Sequence, residues 1–307
     1  MNLASLKTIK FLCQKYKFWP SRKSGQNFLV SEKVLHSIVQ SAQLKEDDVV
    51  LEIGAGFGTL TAELLKTAQK VVAVELDKRL VKALKKLALL NKNLKVVEGD
   101  IFKQWPVVSR QLTDLSYKLV ANLPYNITSL VLRNFLEQKP RPKEMTVLVQ
   151  KEVAERVVAK PGQMSLLAVA VQFYGQPEIM KIVSKDNFWP RPEVDSAVLK
   201  IQGISGLTHH SLRQGEAGGD NKGYQWLLGD VDIKKFFSVV KTGFSAKRKQ
   251  LHNNLAAGWR ISNKKAKEIL SQSGINPTCR AQDLSIENWA KIAQNIDIER
   301  RRSSLTF

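Results

Sequence analysis

The stretch from Val49 to Leu76 most narrowly limits what this chain can fold into. It runs VVLEI (49–53), then the glycine turn GAGFG (54–58), then a segment of helical period to about residue 68, then VVAVEL (71–76). Periods of roughly 2 and 3.6 residues in this order are the alternation of an α/β sheet. The pattern continues on both sides. A helix begins near Ser31, with Val34, Leu35, Ile38, Val39 and Ala42 at helical spacing. After Leu76 come a helix from Asp77 to about Leu90, the strands LKVVEG (94–99) and YKLVAN (117–122), a helix near 127–138, the strand MTVLVQ (145–150), and further alternation to about Ile201. The fold class is therefore α/β, a doubly wound sheet. Residues 203–230 are rich in Gly, Ser and Asp with no sustained period and read as a loop or linker. From there the chain is helical to about 296. The expected organisation is a sheet domain over 1–202 with a basic N-terminal arm, a linker over 203–230, and a smaller helical domain over 231–307.

Three strand ends in this pattern carry polar chemistry. Gly54, Gly56 and Gly58 let the main chain turn sharply and let a ligand approach it. The spacing is G-x-G-x-G, so the dinucleotide fingerprint G-x-G-x-x-G is not met. Glu75 ends the second strand, where an acid can accept hydrogen bonds from both ribose hydroxyls of a nucleoside. Asp100 follows the third strand and could accept from an adenine amine. Singly, each acid reads as a solvated loop residue or a helix cap rather than as a ligand group, and Asp77 reads as a cap. Jointly they outline a pocket for an adenosine ligand without a pyrophosphate, a description that S-adenosylmethionine fits.

Charge narrows the partner. The 307-residue chain holds 48 Lys plus Arg against 28 Asp plus Glu, a net charge of +20. Residues 231–267 alone hold ten basic side chains, among them Lys247, Arg248 and Lys249, against the single acid Asp232. Such an excess draws a polyanion, and nucleic acid is the expected partner ahead of an anionic membrane surface. No run of eighteen or more apolar residues occurs, and the first twenty-three residues lack a secretory pattern. They are basic and acid-free, as in an organellar transit peptide, but an ordered basic arm is the simpler reading, and a cytoplasmic protein is expected. Two cysteines at opposite ends and four histidines without ligand spacing give no reason to expect a metal.

Strand YKLVAN stops at Asn122 and is followed at once by Leu123, Pro124 and Tyr125. Any turn can hold Asn and Pro. However, the segments SGQNFL (24–29), VLEIGAGFGTLT (50–61), VAVELD (72–77), VEGDIF (97–102), VANLPYNI (120–127), FWPRPEVDSAV (188–198) and FSAKRKQLHNNL (244–255) occur in this order. In them the chain resembles the ribosomal RNA adenine N6,N6-dimethyltransferase family from about residue 9 to 296. The last two, with INPTCRAQDLS (275–285), point to the small-subunit branch rather than to relatives acting on large-subunit RNA. Ala55 stands where the family often has Pro, and 203–230 is longer than the family suggests, which bears on how the two domains are placed.

The resemblance implies a Rossmann-like methyltransferase fold with S-adenosylmethionine as cofactor. It implies that Gln26, Asn27 and Leu29 lie over the cofactor, that Gly54 passes beneath it, and that Glu75 and Asp100 hold its ribose and adenine. The strand end then has a purpose. An adenine amine is a poor nucleophile because its lone pair is delocalised into the ring. Asn122 can offer its side-chain oxygen and Leu123 its backbone carbonyl to the two amine hydrogens, and Pro124 stiffens the loop. Tyr125 supplies a flat face for a displaced base. Phe188 and Trp189 are candidates for the opposite wall. The resemblance favours Phe188, although an aromatic before proline is equally read as core packing. Arg191 and the basic stretch SAKRKQLHNN, read as a helix, are expected to hold RNA backbone. The expected activity is dimethylation of two adjacent adenines near the 3′ end of small-subunit ribosomal RNA by a monomer. The alternatives are a non-catalytic assembly or transcription factor on the same fold, or an adenine methyltransferase acting on large-subunit RNA or DNA.

Overall fold

The computed structural model describes residues 2–21, 25–112, 116–204 and 232–304, with side chains as far as 296. Almost all of the expected 203–230 linker lies outside the described residues. The strands are β1 (Phe28–Leu29), β2 (Val49–Ile53), β3 (Lys70–Glu75), β4 (Leu94–Glu98), β5 (Tyr117–Asn122), β6 (Glu144–Gln150), β7 (Gln176–Val183), β8 (Phe188–Trp189) and β9 (Ser196–Gln202). Seven of them form one sheet in the order β4-β3-β2-β5-β6-β9-β7. The run from β4 to β6 is parallel and β9 joins β6 antiparallel. Every residue of β2 is buried, as expected of a parallel strand covered on both faces.

The helices of this layer are α1 (Leu6–Lys15), α2 (Glu32–Ala42), α3 (Thr59–Leu64), α4 (Lys78–Leu90), α5 (Ile101–Arg110) and α6 (Thr128–Glu137). α2 buries Val34, Leu35, Ile38 and Ala42, the stripe that its spacing predicts. α4 turns Leu80, Val81 and Leu84 inward, and Asp77 caps it by accepting from the Arg79 N–H at 2.8 Å. The basic N-terminal arm is largely α1, capped by Ser5 and burying Ile9, Leu12 and Cys13.

After β2 the chain crosses through β3 and β4 on one side of it, then returns to β5 on the other. The order therefore reverses between β2 and β5, and a crevice opens at their carboxyl ends. Gly54 follows the end of β2 and Asn122 ends β5.

The remaining elements are α7 (Lys151–Val157), α8 (Leu166–Tyr174) and four C-terminal helices, α9 (Ile233–Gly243), α10 (Leu251–Trp259), α11 (Asn263–Gln272) and α12 (Ile286–Ser304). The chain divides into two compact units, and residues 156–176 belong with the C-terminal helices rather than with the sheet. The expected domain boundary at 202 thus misplaces α8. The reason is local packing: Phe173 stacks on Phe236 at 4.6 Å and Tyr174 on Phe237 at 5.8 Å, while the Gly162 N–H donates to the Gln282 carbonyl at 2.9 Å. Among the described residues no helix is long and apolar enough to cross a membrane.

Candidate active site

Three loops meet at the carboxyl ends of the central strands, around a cavity of ≈ 710 Å³. The first is the segment Gly25–Leu29, whose last two residues are β1. It is fixed by antiparallel pairing with β8, Phe28 opposite Trp189 and Leu29 opposite Phe188. The second is the glycine turn between β2 and α3, anchored where the Gly54 N–H donates to the Val74 carbonyl at 2.9 Å. The third is Asn122–Tyr125 after β5, held where the Leu123 N–H donates to the Leu148 carbonyl at 3.2 Å, and closed as a turn by the Ile127 N–H donating to the Pro124 carbonyl.

Two glycines allow the loops to approach so closely. Gly54 has φ +74°, and a Cβ there would lie 3.2 Å from Cδ of Pro124. Gly25 has φ +63°, and a Cβ there would lie 3.0 Å from the Tyr125 nitrogen. A side chain at either position would meet both an unfavourable backbone region and a neighbour that is backbone or a stiff ring.

Polar groups line the cavity at each strand end. Glu75 is 6% exposed, and its two oxygens each accept one backbone N–H, Oε2 from Gly56 at 2.8 Å and Oε1 from Asp77 at 2.9 Å. Burial raises its pKa against the pull of these bonds. Asp100 caps α5, its Oδ1 accepting from the Phe102 N–H at 2.9 Å. It thus fills the capping role open to it from sequence and also lines the cavity. Asn122 Nδ2 donates to the Asn27 carbonyl at 3.2 Å. Since that partner can only accept, the amide is oriented with its oxygen on the other side. Tyr125 is half-buried, its hydroxyl 2.7 Å from Ser196 Oγ.

Gln26, Asn27, Leu29, Gly54, Gly56, Glu75, Asp100 and Asn122 to Tyr125 therefore converge on one cavity. Phe188 does not. It is 3% exposed and packs in the core with Leu29, Val183 and Val198, so it backs the Gly25–Leu29 segment instead of presenting a ring. Arg191 is exposed, its Nε 2.8 Å from Oδ1 of Asp186. Lys247, Arg248 and Lys249 are all exposed, but they lie in the connection between α9 and α10, not on a helix. Buried Asn254 holds that connection open by donating to the carbonyls of Gly243 at 2.6 Å and Ala246 at 3.1 Å.

Sequence reasoning passed over Glu52. This carboxyl lies within the all-buried strand β2, is 2% exposed and lines the cavity. Its Oε2 and the neighbouring Thr61 Oγ1 have no hydrogen-bond partner among the described residues. Burial pushes its pKa up to about 8; Thr61 opposes the shift and the Glu75 charge adds to it. An acid inside an otherwise apolar strand was the available signal. Arg79 was also missed. It lines the cavity and pairs with Asp77 at 2.6 Å, which holds the Asp77 carboxyl below the usual range.

Residues 20–212 match the family described as ribosomal RNA adenine dimethylase. A protein of Dehalococcoides mccartyi (strain CBDB1) named ribosomal RNA small subunit methyltransferase A is 42% identical over 285 residues, 92% of this chain and 90% of that protein. A protein of the same name from Alkaliphilus oremlandii is 33% identical over 96% of this chain and 98% of its own length. Among solved structures, a dimethyladenosine transferase from Plasmodium falciparum superposes with a TM-score of 0.67 at 23% identity, covering 89% of this chain and 98% of that one. The 23S rRNA methyltransferase ErmE does so with 0.62 at 23% identity, covering 88% and 99%. These two likenesses establish a Rossmann-like methyltransferase fold. With the match across the whole sheet layer and relatives of up to 42% identity along nearly the full length, the chain belongs to the ribosomal RNA adenine dimethylase family.

Proposed function

We propose that this cavity holds S-adenosylmethionine with Glu75 and Asp100 at its nucleoside, and presents beside it the amine of an adenine displaced from small-subunit ribosomal RNA. As a member of its family the chain is an S-adenosylmethionine-dependent rRNA adenine dimethyltransferase. The donor set fits such a cofactor. Glu75 and Asp100 offer carboxylate acceptors suited to a ligand with a diol and an amine, and the buried Glu52 Oε2 beside them has no hydrogen-bond partner among the described residues.

When bound, S-adenosylmethionine supplies an electrophilic methyl group. Asn122 Oδ1 and the Leu123 carbonyl each accept one hydrogen of the adenine amine, which favours a pyramidal nitrogen with its lone pair free of the ring. Tyr125 stacks against the base, and its bond to Ser196 fixes the ring plane. Phe188 and Trp189, paired with Leu29 and Phe28, keep the Gly25–Leu29 segment in place over the cavity. Arg191 and the Lys247–Lys249 connection hold RNA phosphates, which position the substrate without reading its sequence.

The observation that carries this reading is the Asn122 amide, with its nitrogen committed to the Asn27 carbonyl and its oxygen left as acceptor at the edge of the cavity. The substrate is two adjacent adenines near the 3′ end of the small-subunit RNA, each receiving two methyl groups, and the protein acts as a monomer in the cytoplasm on the small subunit or its precursor. Incubating it with labelled cofactor and unmethylated small subunits, then mapping N6,N6-dimethyladenine, tests this. Label confined to two neighbouring adenines near the 3′ end is expected. Label on large-subunit RNA instead, or RNA binding without label, would overturn it.

A further inference from the structure

Helix α1 has an inner face tied to the site and an outer face that the described residues leave uncovered. On the inner side Ile9, Leu12 and Cys13 pack with Phe18, with Phe57 of the glycine turn and with Leu80 of α4. Thr59 Oγ1 donates to the Leu3 carbonyl at 3.1 Å, and Arg79 donates to the Lys17 carbonyl at 3.2 Å while its guanidinium lies 4.9 Å from the Phe18 ring centroid. Phe57, Thr59 and Arg79 also line the cavity, so α1 is a fixed part of its surroundings.

The outer side of α1 combines a bare ring with cations, and a second bare ring follows the helix in the chain. Phe11 is 47% exposed and Trp19, just past the helix, is 64% exposed. Lys7, Phe11 and Lys15 follow one another at i, i+4 and i+8 along α1, which places them on one stripe, and Lys15 Nζ lies 5.7 Å from the Phe11 ring centroid. Lys10 and Lys17 are exposed as well. Residues 1–31 hold six Lys or Arg and no Asp or Glu. Trp19 also stands close in sequence to the cavity wall: two residues on, the Ser21 N–H donates to Gln26 Oε1 at 3.0 Å and its carbonyl accepts from the Gln26 N–H at 3.3 Å. A merely solvated helix face needs the lysines but not the rings. Flat rings set among cations are the means by which proteins hold unpaired nucleic acid, bases on the rings and phosphates on the cations.

We propose that the outer face of α1 and Trp19 form a stacking track for single-stranded RNA, on which unpaired nucleotides flanking the target adenine lie while Tyr125 holds the displaced base. This rests on the reading of the cavity given above and adds to it the part of the substrate that the site takes: an unpaired strand rather than a continuous duplex. Lys7, Lys10, Lys15 and Lys17 neutralise its phosphates, and Phe11 and Trp19 stack its bases.

The test uses the full chain, a short unpaired RNA oligonucleotide, a duplex of the same length, and anionic phospholipid vesicles. Two variants are compared with wild type: Phe11→Ala with Trp19→Ala, and Lys7, Lys10, Lys15 and Lys17 all to Gln. The aromatic variant is expected to bind unpaired RNA about tenfold or more weakly with the same salt dependence. The lysine variant is expected to flatten the slope of log affinity against log salt by up to about 3, at roughly 0.7 per phosphate contact. Phe11→Tyr with Trp19→Phe, which keeps a ring at both positions, should retain most of the affinity. Cofactor binding by calorimetry should be the same in all four proteins. Unchanged RNA affinity in the aromatic variant, an equal loss for duplex and unpaired RNA, or a loss confined to vesicles would each overturn the track. A wild type that binds the oligonucleotide but neither binds cofactor nor methylates small subunits would instead overturn the reading of the cavity.

Discussion

Asn122 donates to the main-chain carbonyl of Asn27 across 95 residues of sequence, joining the loop after β5 to the segment that covers the cavity. One side chain therefore fixes the relation between two walls of the site and offers the acceptor that remains. In Asn122→Ala both are lost, but in the proposed chemistry the acceptor is needed mainly while the amine reacts. The methylation rate on bound RNA should fall by at least roughly 100-fold, as when a preorganised polar group is removed from a reacting centre, while cofactor affinity changes much less. Single-turnover kinetics beside calorimetry would show this split. A rate within a few-fold of wild type would remove Asn122 from the proposed chemistry.

Glu75 and Asp100 differ in what else they do, and the difference can be measured. Each should contribute about 1.5–3 kcal/mol to cofactor binding through charged hydrogen bonds, so Glu75→Ala and Asp100→Ala should weaken it by that amount in calorimetry. Asp100 also caps α5, so Asp100→Ala should cost about 1 kcal/mol of folding stability besides, whereas Asp100→Asn keeps a cap. If both alanine variants fold and bind cofactor as wild type does, the pocket assignment fails.

Glu52 makes the stability of the ligand-free protein depend on pH. Its carboxyl keeps its proton in the folded state up to about pH 8, whereas the unfolded chain releases it near the ordinary value of 4.5. Between these values the folded state binds more protons, so stability falls as pH rises; below 4.5 both states are protonated and the effect vanishes. At full effect the loss is about 1.4 kcal/mol per pH unit. Glu52→Gln carries no proton to release and should show a flatter decline in urea denaturation between pH 5 and 8, since the other carboxylates are common to both proteins. Parallel curves would mean that Glu52 ionises normally.

The sheet layer was legible because its information is local. VVLEI and YKLVAN match their strands residue for residue, and Gly54, Glu75, Asp100 and Asn122 could be placed at strand ends from periodicity alone. Long-range contacts account for what was missed. The stripe Ile9, Leu12, Cys13 reads as a basic arm until Phe57 and Leu80 supply the surface it packs against. α8, LLAVAVQFY, is apolar nearly all round, and such a segment does not say which core it joins; Phe236 and Phe237, about sixty residues on, decide that. SAKRKQ has helical composition, but Asn254 takes the carbonyls of Gly243 and Ala246 that a continuing helix would use. Phe188 sits beside a motif rich in site residues, yet its pairing with Leu29 turns it into the core.

The turn holding Lys247, Arg248 and Lys249 is exposed on all three side chains, in a stretch of ten basic residues against one acid. If they neutralise RNA phosphates, replacing all three with Ala should weaken small-subunit RNA binding and make the slope of log affinity against log salt shallower by roughly 2, at about 0.7 per contact on a single-stranded polyanion. Cofactor affinity should not move. Because phosphate contacts carry no sequence information, the variant should still modify the same adenines when RNA is saturating, with most of its defect in apparent KM. Asn254→Ala gives an independent check: it leaves every charge in place but frees the connection, so it should lower RNA affinity without altering the salt slope. A solvated turn with no role predicts unchanged slopes in the triple variant, and that result would leave RNA docking to other basic surfaces.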